Sequence, residues 1–187
     1  QWTGDAAATS VNFRRNAESL IVGADEVFSL RDLETPAAPE RDVWTSAEGG
    51  SLAVSHDDRT VVIGSVSGSL VLMDAASGEV RGVLGGHLSR VISVDYGPDD
   101  REVLSASKDG TVRIWSPDPV TESMVLNGCE GELRELAFSP DGSKLVCAGT
   151  YVTAWVWDVS TGQELLVIRG EGRWYGAADF SPDGRHI

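Results

Sequence analysis

Cysteine is nearly absent from this chain. Cys129 and Cys147 are the two thiols in 187 residues, and without a C-x-x-C spacing they offer neither a disulfide framework nor a metal site. Cys147 sits in an apolar strand-like run and reads as a small hydrophobe. No apolar run is long enough to cross a bilayer as a helix. A Walker loop, a dinucleotide fingerprint and zinc-ligand spacing are all missing, which removes the commonest nucleotide and metal chemistries. Cations are scarce too: 15 Lys and Arg face 29 Asp and Glu, for a net charge of −14. Nucleic-acid binding depends on cationic contacts to phosphates, so that class is disfavoured, as is an anionic membrane surface.

What the chain does have is a repeat. Met73, Trp115 and Trp157 recur every 42 residues, and Gly86, Gly128 and Gly170 recur at the same interval. Two independent sets of residues in one period mark a structural unit, and a unit of this length belongs to a propeller or a solenoid. Within a unit the signal is strand-like. Arg90 to Tyr96 alternates with period two, Gly97-Pro98-Asp99-Asp100 reads as a turn, and Glu102 to Ser107 and Thr111 to Ser116 follow as strands. A fourth strand is expected near Ser123 to Leu126. The next unit repeats the plan with Leu133 to Phe138, the turn Ser139-Pro140-Asp141-Gly142, Lys144 to Gly149, Thr153 to Asp158 and Gln163 to Ile168. Pro presets φ, Asp bonds its own backbone and Gly accepts positive φ, so these turns have a mechanism. Four antiparallel strands per unit make a blade.

These residues resemble the WD-repeat family of β-propellers over almost the whole chain. The family's repeat runs from a Gly-His pair to a Trp-Asp pair; here Gly86-His87 leads to Trp115-Ser116, while Trp157-Asp158 keeps the second pair in full. Ser181-Pro182-Asp183-Gly184 also fits. Other copies depart: Arg31-Asp32 and Met73-Asp74 replace Trp-Asp, Ser67 and Tyr151 fill the usual Asp slot, and Cys129 fills the His slot. The resemblance implies an all-β fold, a β-propeller of four-stranded antiparallel blades. At 42 residues per unit the chain supplies about four and a half blades of a propeller of seven or more. The repeats run approximately over 1–45, 46–87, 88–129 and 130–171, with a partial one at 172–187. The chain is therefore expected to be a segment of a larger protein, its missing blades supplied by the rest of that chain or by another chain.

The resemblance also assigns residues. His87, Ser107, Asp109 and Trp115 correspond to the family's hydrogen-bonded structural tetrad, in which buried polar groups satisfy one another and tie strands together. The same His, Ser and Asp could suggest a hydrolase triad, but no nucleophile elbow or oxyanion hole lies near Ser107. No catalytic residue, cofactor or metal site is expected. Positions that face the narrow end of the family's propeller map onto Glu48, Arg90, Glu132 and Trp174, and onto Val66, Lys108 and Thr150; Trp174 has the profile of a binding anchor. The carboxylate pairs Asp57-Asp58 and Asp99-Asp100 read as turn chemistry before they read as a cation site. His56 and His186 stand alone at turns.

The function expected from this reading is a non-catalytic protein–protein interaction scaffold in the cytoplasm, the platform or sensor segment of a multidomain protein. Its partner is a protein or peptide, basic if the net charge steers the encounter. The alternative is an enzyme-associated propeller whose channel binds a small ligand or metal together with residues outside this segment.

Overall fold

The computed structural model describes residues 8–13, 19–24, 27–32, 41–44, 51–118, 120–127, 133–149, 153–170 and 177–187, with the backbone alone described up to residue 44 and at 120–123. Among them there is no helix. Sixteen strands form four sheets. The first holds β1 (Ala8–Phe13), β2 (Ser19–Ala24), β3 (Val27–Asp32) and β4 (Arg41–Trp44). The second holds β5 (Leu52–Val54), β6 (Thr60–Gly64), β7 (Ser69–Asp74) and β8 (Val80–Gly85). The third holds β9 (Val91–Tyr96), β10 (Val103–Ser107), β11 (Thr111–Pro117) and β12 (Val120–Asn127), and the fourth β13 (Leu133–Phe138), β14 (Lys144–Gly149), β15 (Thr153–Asp158) and β16 (Glu164–Arg169). Every sheet is an antiparallel meander in sequence order, so each is one blade.

Register repeats as faithfully as sequence. Ile63 opposes Val71, Ser105 opposes Arg113 and Cys147 opposes Trp155, the same pair in three successive blades. In each of these three blades the third and fourth strands slip register beside the landmark residue, at Leu72/Met73, Ile114/Trp115 and Val156/Trp157. Such bulges bend a strand and increase its twist. The turns repeat as well: Asp58, Asp100, Gly142 and Gly184, one per 42 residues, all take positive φ, at 60°, 59°, 72° and 68°. Asp tolerates that region because its short side chain bonds locally, so the first two copies manage without glycine.

Blades pack face to face. The innermost strands run β1, β5, β9, β13 as successive neighbours, which places them around one axis with β8 and β12 at the outside. Between the second and third blades lies a core of Ala53, Val62, Leu70, Leu72 and Leu84 against Val91, Val94, Tyr96, Val103 and Trp115. Between the third and fourth lies another, with Leu104, Ala106, Val112 and Ile114 meeting Leu133, Leu136, Phe138, Leu145, Cys147, Trp155 and Trp157. The far face of the fourth blade packs Val146, Ala154 and Val156 with Ala178 and Phe180. Strand alternation sends even and odd residues into different interfaces, so one strand such as β10 feeds both. This is an arc of a β-propeller, as the sequence implies.

Candidate functional site

An antiparallel meander puts its connections alternately at two ends. The β6–β7, β8–β9 and β10–β11 loops share one end, and the β5–β6, β7–β8, β9–β10 and β13–β14 turns share the other. Hydrogen bonds between blades fix this pairing. Val91 donates its amide to the Ser65 carbonyl at 2.9 Å, and Lys108 donates its amide to the Arg90 carbonyl at 2.9 Å, which joins the three loops at the first end. At the other end the Asp100 carboxylate accepts from the His56 amide at 2.7 Å and the Asp57 amide at 3.0 Å, with His56 Nδ1 at 2.9 Å. His56 is thus tied to the neighbouring blade and does not stand alone. Asp57 Oδ1 accepts from Ser55 Oγ and the Arg59 amide, which is the turn chemistry expected of it.

The first end is braced by His87, whose side chain is fully buried. Its Nε2 lies 2.7 Å from Ser105 Oγ, and the Trp115 indole Nε1 donates to that same oxygen at 2.8 Å. Its Nδ1 lies 3.0 Å from Asp109 Oδ2 and 3.1 Å from Thr111 Oγ1. The donor count assigns the tautomer. The Asp109 carboxylate only accepts, so the proton of the neutral ring sits on Nδ1, and Nε2 accepts from Ser105 Oγ while that oxygen accepts from the indole. Asp109 also accepts from the Leu88 amide at 2.8 Å and from the Thr111 hydroxyl and amide at 2.7 and 2.9 Å. Burial pushes its pKa up, but the bonds from Thr111, Leu88 and His87 outweigh it and hold the carboxyl at about 2. The imidazole meets the indole edge to face, with ring centroids 6.1 Å apart.

One tetrad assignment needs correction. The hydroxyl that joins His87 to Trp115 belongs to Ser105, not Ser107. The β9–β10 ladder slips between Ala106 and Ser107, and beyond the slip Ser107 turns to the loop: it donates to the Ser89 carbonyl at 2.9 Å and accepts from the Asp109 amide at 3.1 Å. Thr111 was not anticipated either. A β-branched hydroxyl two residues after an Asp was the available signal, since that spacing closes an Asx-type turn.

Of the positions mapped to the narrow end, Val66 is half-buried, and Arg90 and Lys108 are exposed on the joined loops. Glu48, Glu132, Thr150 and Trp174 lie outside the described residues. Leu88 is the residue the sequence reading missed: it is 90% exposed, held there because its amide is locked to Asp109 while its neighbour His87 is buried. Gly68 closes the patch. At φ +90° it brings its backbone against the His87 carbonyl, where a Cβ would collide. Among the described residues no group of three or more His, Cys, Asp or Glu could hold a metal ion.

Among the described residues the two ends carry different charged side chains. The first end carries Arg90, Lys108 and the inward-turned Asp109, which is 8% exposed. The other end carries Asp57, Asp58, Asp74, Asp99, Asp100, Asp141, Asp158 and Asp183 in its turns. Crowded carboxylates show there: burial and Asp99 push the Glu102 pKa up.

Cross-braced loops on a radial stack of four-stranded sheets define the class as a β-propeller. A family model described as "WD domain, G-beta repeat" matches residues 78–116. That stretch runs from the β7–β8 turn through β11 and contains His87, Ser105, Asp109 and Trp115, so the chain carries a WD repeat and is consistent with the WD-repeat family. No curated protein matches the chain.

Proposed function

We propose that this chain is a non-catalytic platform that binds protein or peptide partners at the end formed by the β6–β7, β8–β9 and β10–β11 loops, within a larger cytoplasmic protein that completes the propeller. A WD repeat points to protein–protein interaction in general; the choice of end rests on backbone-to-backbone bonds between loops backed by the buried His87 network, where the other end is joined through the Asp100 side chain. Rigid loops bind without the entropy loss that ordering a mobile loop would require. Here backbone bonds join three loops from two blades, and the buried His87 network anchors the middle one. Exposed Arg90, Lys108 and Leu88 on that frame supply contact groups, and Val66 stands beside them. A basic partner, as the net charge suggests, fits the opposite, carboxylate-rich end.

Affinity capture from the source cells, read by mass spectrometry, tests the choice of end. Capture with wild type is compared with Lys108→Glu and with Arg101→Glu, the latter at the opposite end. Loss of partners with Lys108→Glu alone is the expected result. Equal recovery with Lys108→Glu together with loss at Arg101→Glu would overturn it.

A further inference from the structure

We infer that the outer edge of β16 pairs antiparallel with the same strand of a second copy of this chain, joining two propellers rim to rim. The inference is independent of which end of the propeller receives a partner. It starts from where the strand lies. Each blade finishes in an outermost strand, and among the described residues β16 pairs with β15 on one side and with no strand on the other. Neighbouring blades pack on the faces of a sheet, so completing the ring covers those faces and leaves this edge at the rim. A row of unpaired amides and carbonyls is a template for another strand.

The other outermost strands are blunted in the ways that discourage such pairing, by charge within the strand or by short length. β8 carries Arg81 and Gly82 inside the strand, with Arg81 paired to Asp74, and β12 carries Glu122 ahead of Ser123. β4 is four residues long and begins Arg41-Asp42. In contrast β16, Glu164-Leu165-Leu166-Val167-Ile168-Arg169, has four apolar residues in a row and keeps its charges at its two ends. Leu165 and Leu166 are 49% and 51% exposed, and Glu164 and Arg169 are exposed as well. The six equivalent positions one unit earlier run from Glu122 to Asn127, and two units earlier from Val80 to Gly85. Of these three stretches, only β16 has an acid at one end and a base at the other.

That pattern names the occupant. Any extended peptide satisfies edge hydrogen bonds, but a strand with acid at one end, base at the other and apolar residues between is complementary to itself. The register of β16 on β15 fixes the faces. Glu164, Val167 and Arg169 oppose Trp157, Trp155 and Thr153, on the face turned to the third blade, while Leu166 and Ile168 oppose Val156 and Ala154 on the far face. A two-fold antiparallel pair keeps each face with itself, so its axis passes through a residue. With the axis at Val167, Leu166 meets Ile168 of the second copy. The bulge at Leu165 then sets Glu164 opposite Arg169 of the second copy, both on the same face. An axis at Leu166 or Ile168 pairs neither charge with its opposite. One register therefore gives two ion pairs flanking an apolar centre. Six residues a side make a small contact, so association in the micromolar range is expected.

Sedimentation equilibrium of the full chain over a concentration series tests this with wild type, Glu164→Arg, Arg169→Glu and the two swaps combined. Wild type should approach twice the mass of one chain. Each single swap replaces two opposite-charge pairs with two like-charge pairs across the axis, and should raise the dissociation constant about tenfold. The double swap restores complementarity and should return to within about threefold of wild type. Leu166→Lys places a charge in the middle of the edge and should abolish association. Melting temperatures taken at concentrations where every form is monomeric check that the fold is kept, and the swaps at exposed Glu164 and Arg169 decide the matter if Leu166→Lys does not fold. Three results would each overturn the inference: a monomer at every concentration, a dimer indifferent to the swaps, or a double swap no better than the single ones. None of them bears on the platform reading.

Discussion

The second and third blades solve one packing problem in two ways. Where the third blade places Ser105 and Trp115, with Asp109 in the following turn, the second places Ile63, Met73 and Ser67 at the same 42-residue offset. Ile63 and Met73 are each 1% exposed and pack with Leu52, Val61 and Val71. Ser67 bonds Ser65 at 2.8 Å and reaches no further. Both blades keep the same ladder and the same bulge. The His87 network is therefore not what makes a blade. What it adds is a connection from the core to the loop: through Asp109 it holds the Leu88 amide, and the second blade's apolar set has no group that could do so.

The largest expected effect separates packing from hydrogen bonding. Trp115→Ala and Met73→Ala both empty a buried site, for about 3–5 and 2–5 kcal/mol respectively. Trp115→Ala also removes the indole donor from Ser105, for about 1 kcal/mol more. Urea unfolding should show the greater loss for Trp115→Ala. Equal losses would mean that the network contributes nothing to stability beyond volume.

Next in size is Ser105→Ala, expected to destabilise by about 2 kcal/mol because it strands the Trp115 and His87 ring nitrogens together in a dry site. Ser107→Ala should lose about half as much, since its partners, the Ser89 carbonyl and the Asp109 amide, are part-buried and not in the dry core. The reverse order, by the same unfolding measurement, would return the tetrad role to Ser107.

That pair of serines also shows what could be read from sequence. The 42-residue period, the strand alternation and the Pro-Asp and Asp-Gly turns are local signals, and each appears where the residues place it: Leu133–Phe138, Lys144–Gly149 and Thr153–Asp158 are strands as expected. Ser105 and Ser107 differ by one full strand period and face the same side, so pattern alone cannot choose between them. The bulge at Ala106/Ser107 decides, and a bulge depends on how two strands meet. Leu88 was hidden for a related reason. Its exposure follows from a hydrogen bond to a residue 21 positions away, and an isolated Leu carries no mark of that. The gathering of turn carboxylates at one end was legible in principle, since a meander sends alternate loops to opposite ends, but net charge does not show where they sit.

Acid should distinguish the blades as well. The Asp109 pKa is depressed in the folded protein to about 2, against an ordinary 3.8. A depressed carboxyl contributes stability that is fully present above the ordinary value and is lost as pH falls through the folded one. The loss attributable to Asp109 thus falls between about pH 4 and pH 2. Turn carboxylates such as Asp74 titrate low too, so the informative quantity is the difference between wild type and Asp109→Asn. The variant should be less stable than wild type at neutral pH, with the gap closing across that window in melting temperatures. A gap independent of pH would assign the effect to geometry and not to charge.

The smallest effect should have the opposite sign. Tyr96 is 3% exposed, and its hydroxyl is buried with no hydrogen-bond partner among the described residues. Burial, with Asp100 and Asp57 nearby, pushes the phenol pKa well above its usual value, so the group stays neutral and gains nothing from the surrounding charge. The same position one and two units later holds Phe138 and Phe180, which fill their interfaces with the ring alone. Tyr96→Phe therefore replaces a desolvated hydroxyl with the side chain the neighbouring units use. It should raise stability by about 0.5–1 kcal/mol in urea unfolding, because an unsatisfied buried polar group is worse than an apolar group of the same shape. A loss of stability would reveal a partner for that hydroxyl, and would make the second-to-third blade interface a polar one at a point where the others are dry.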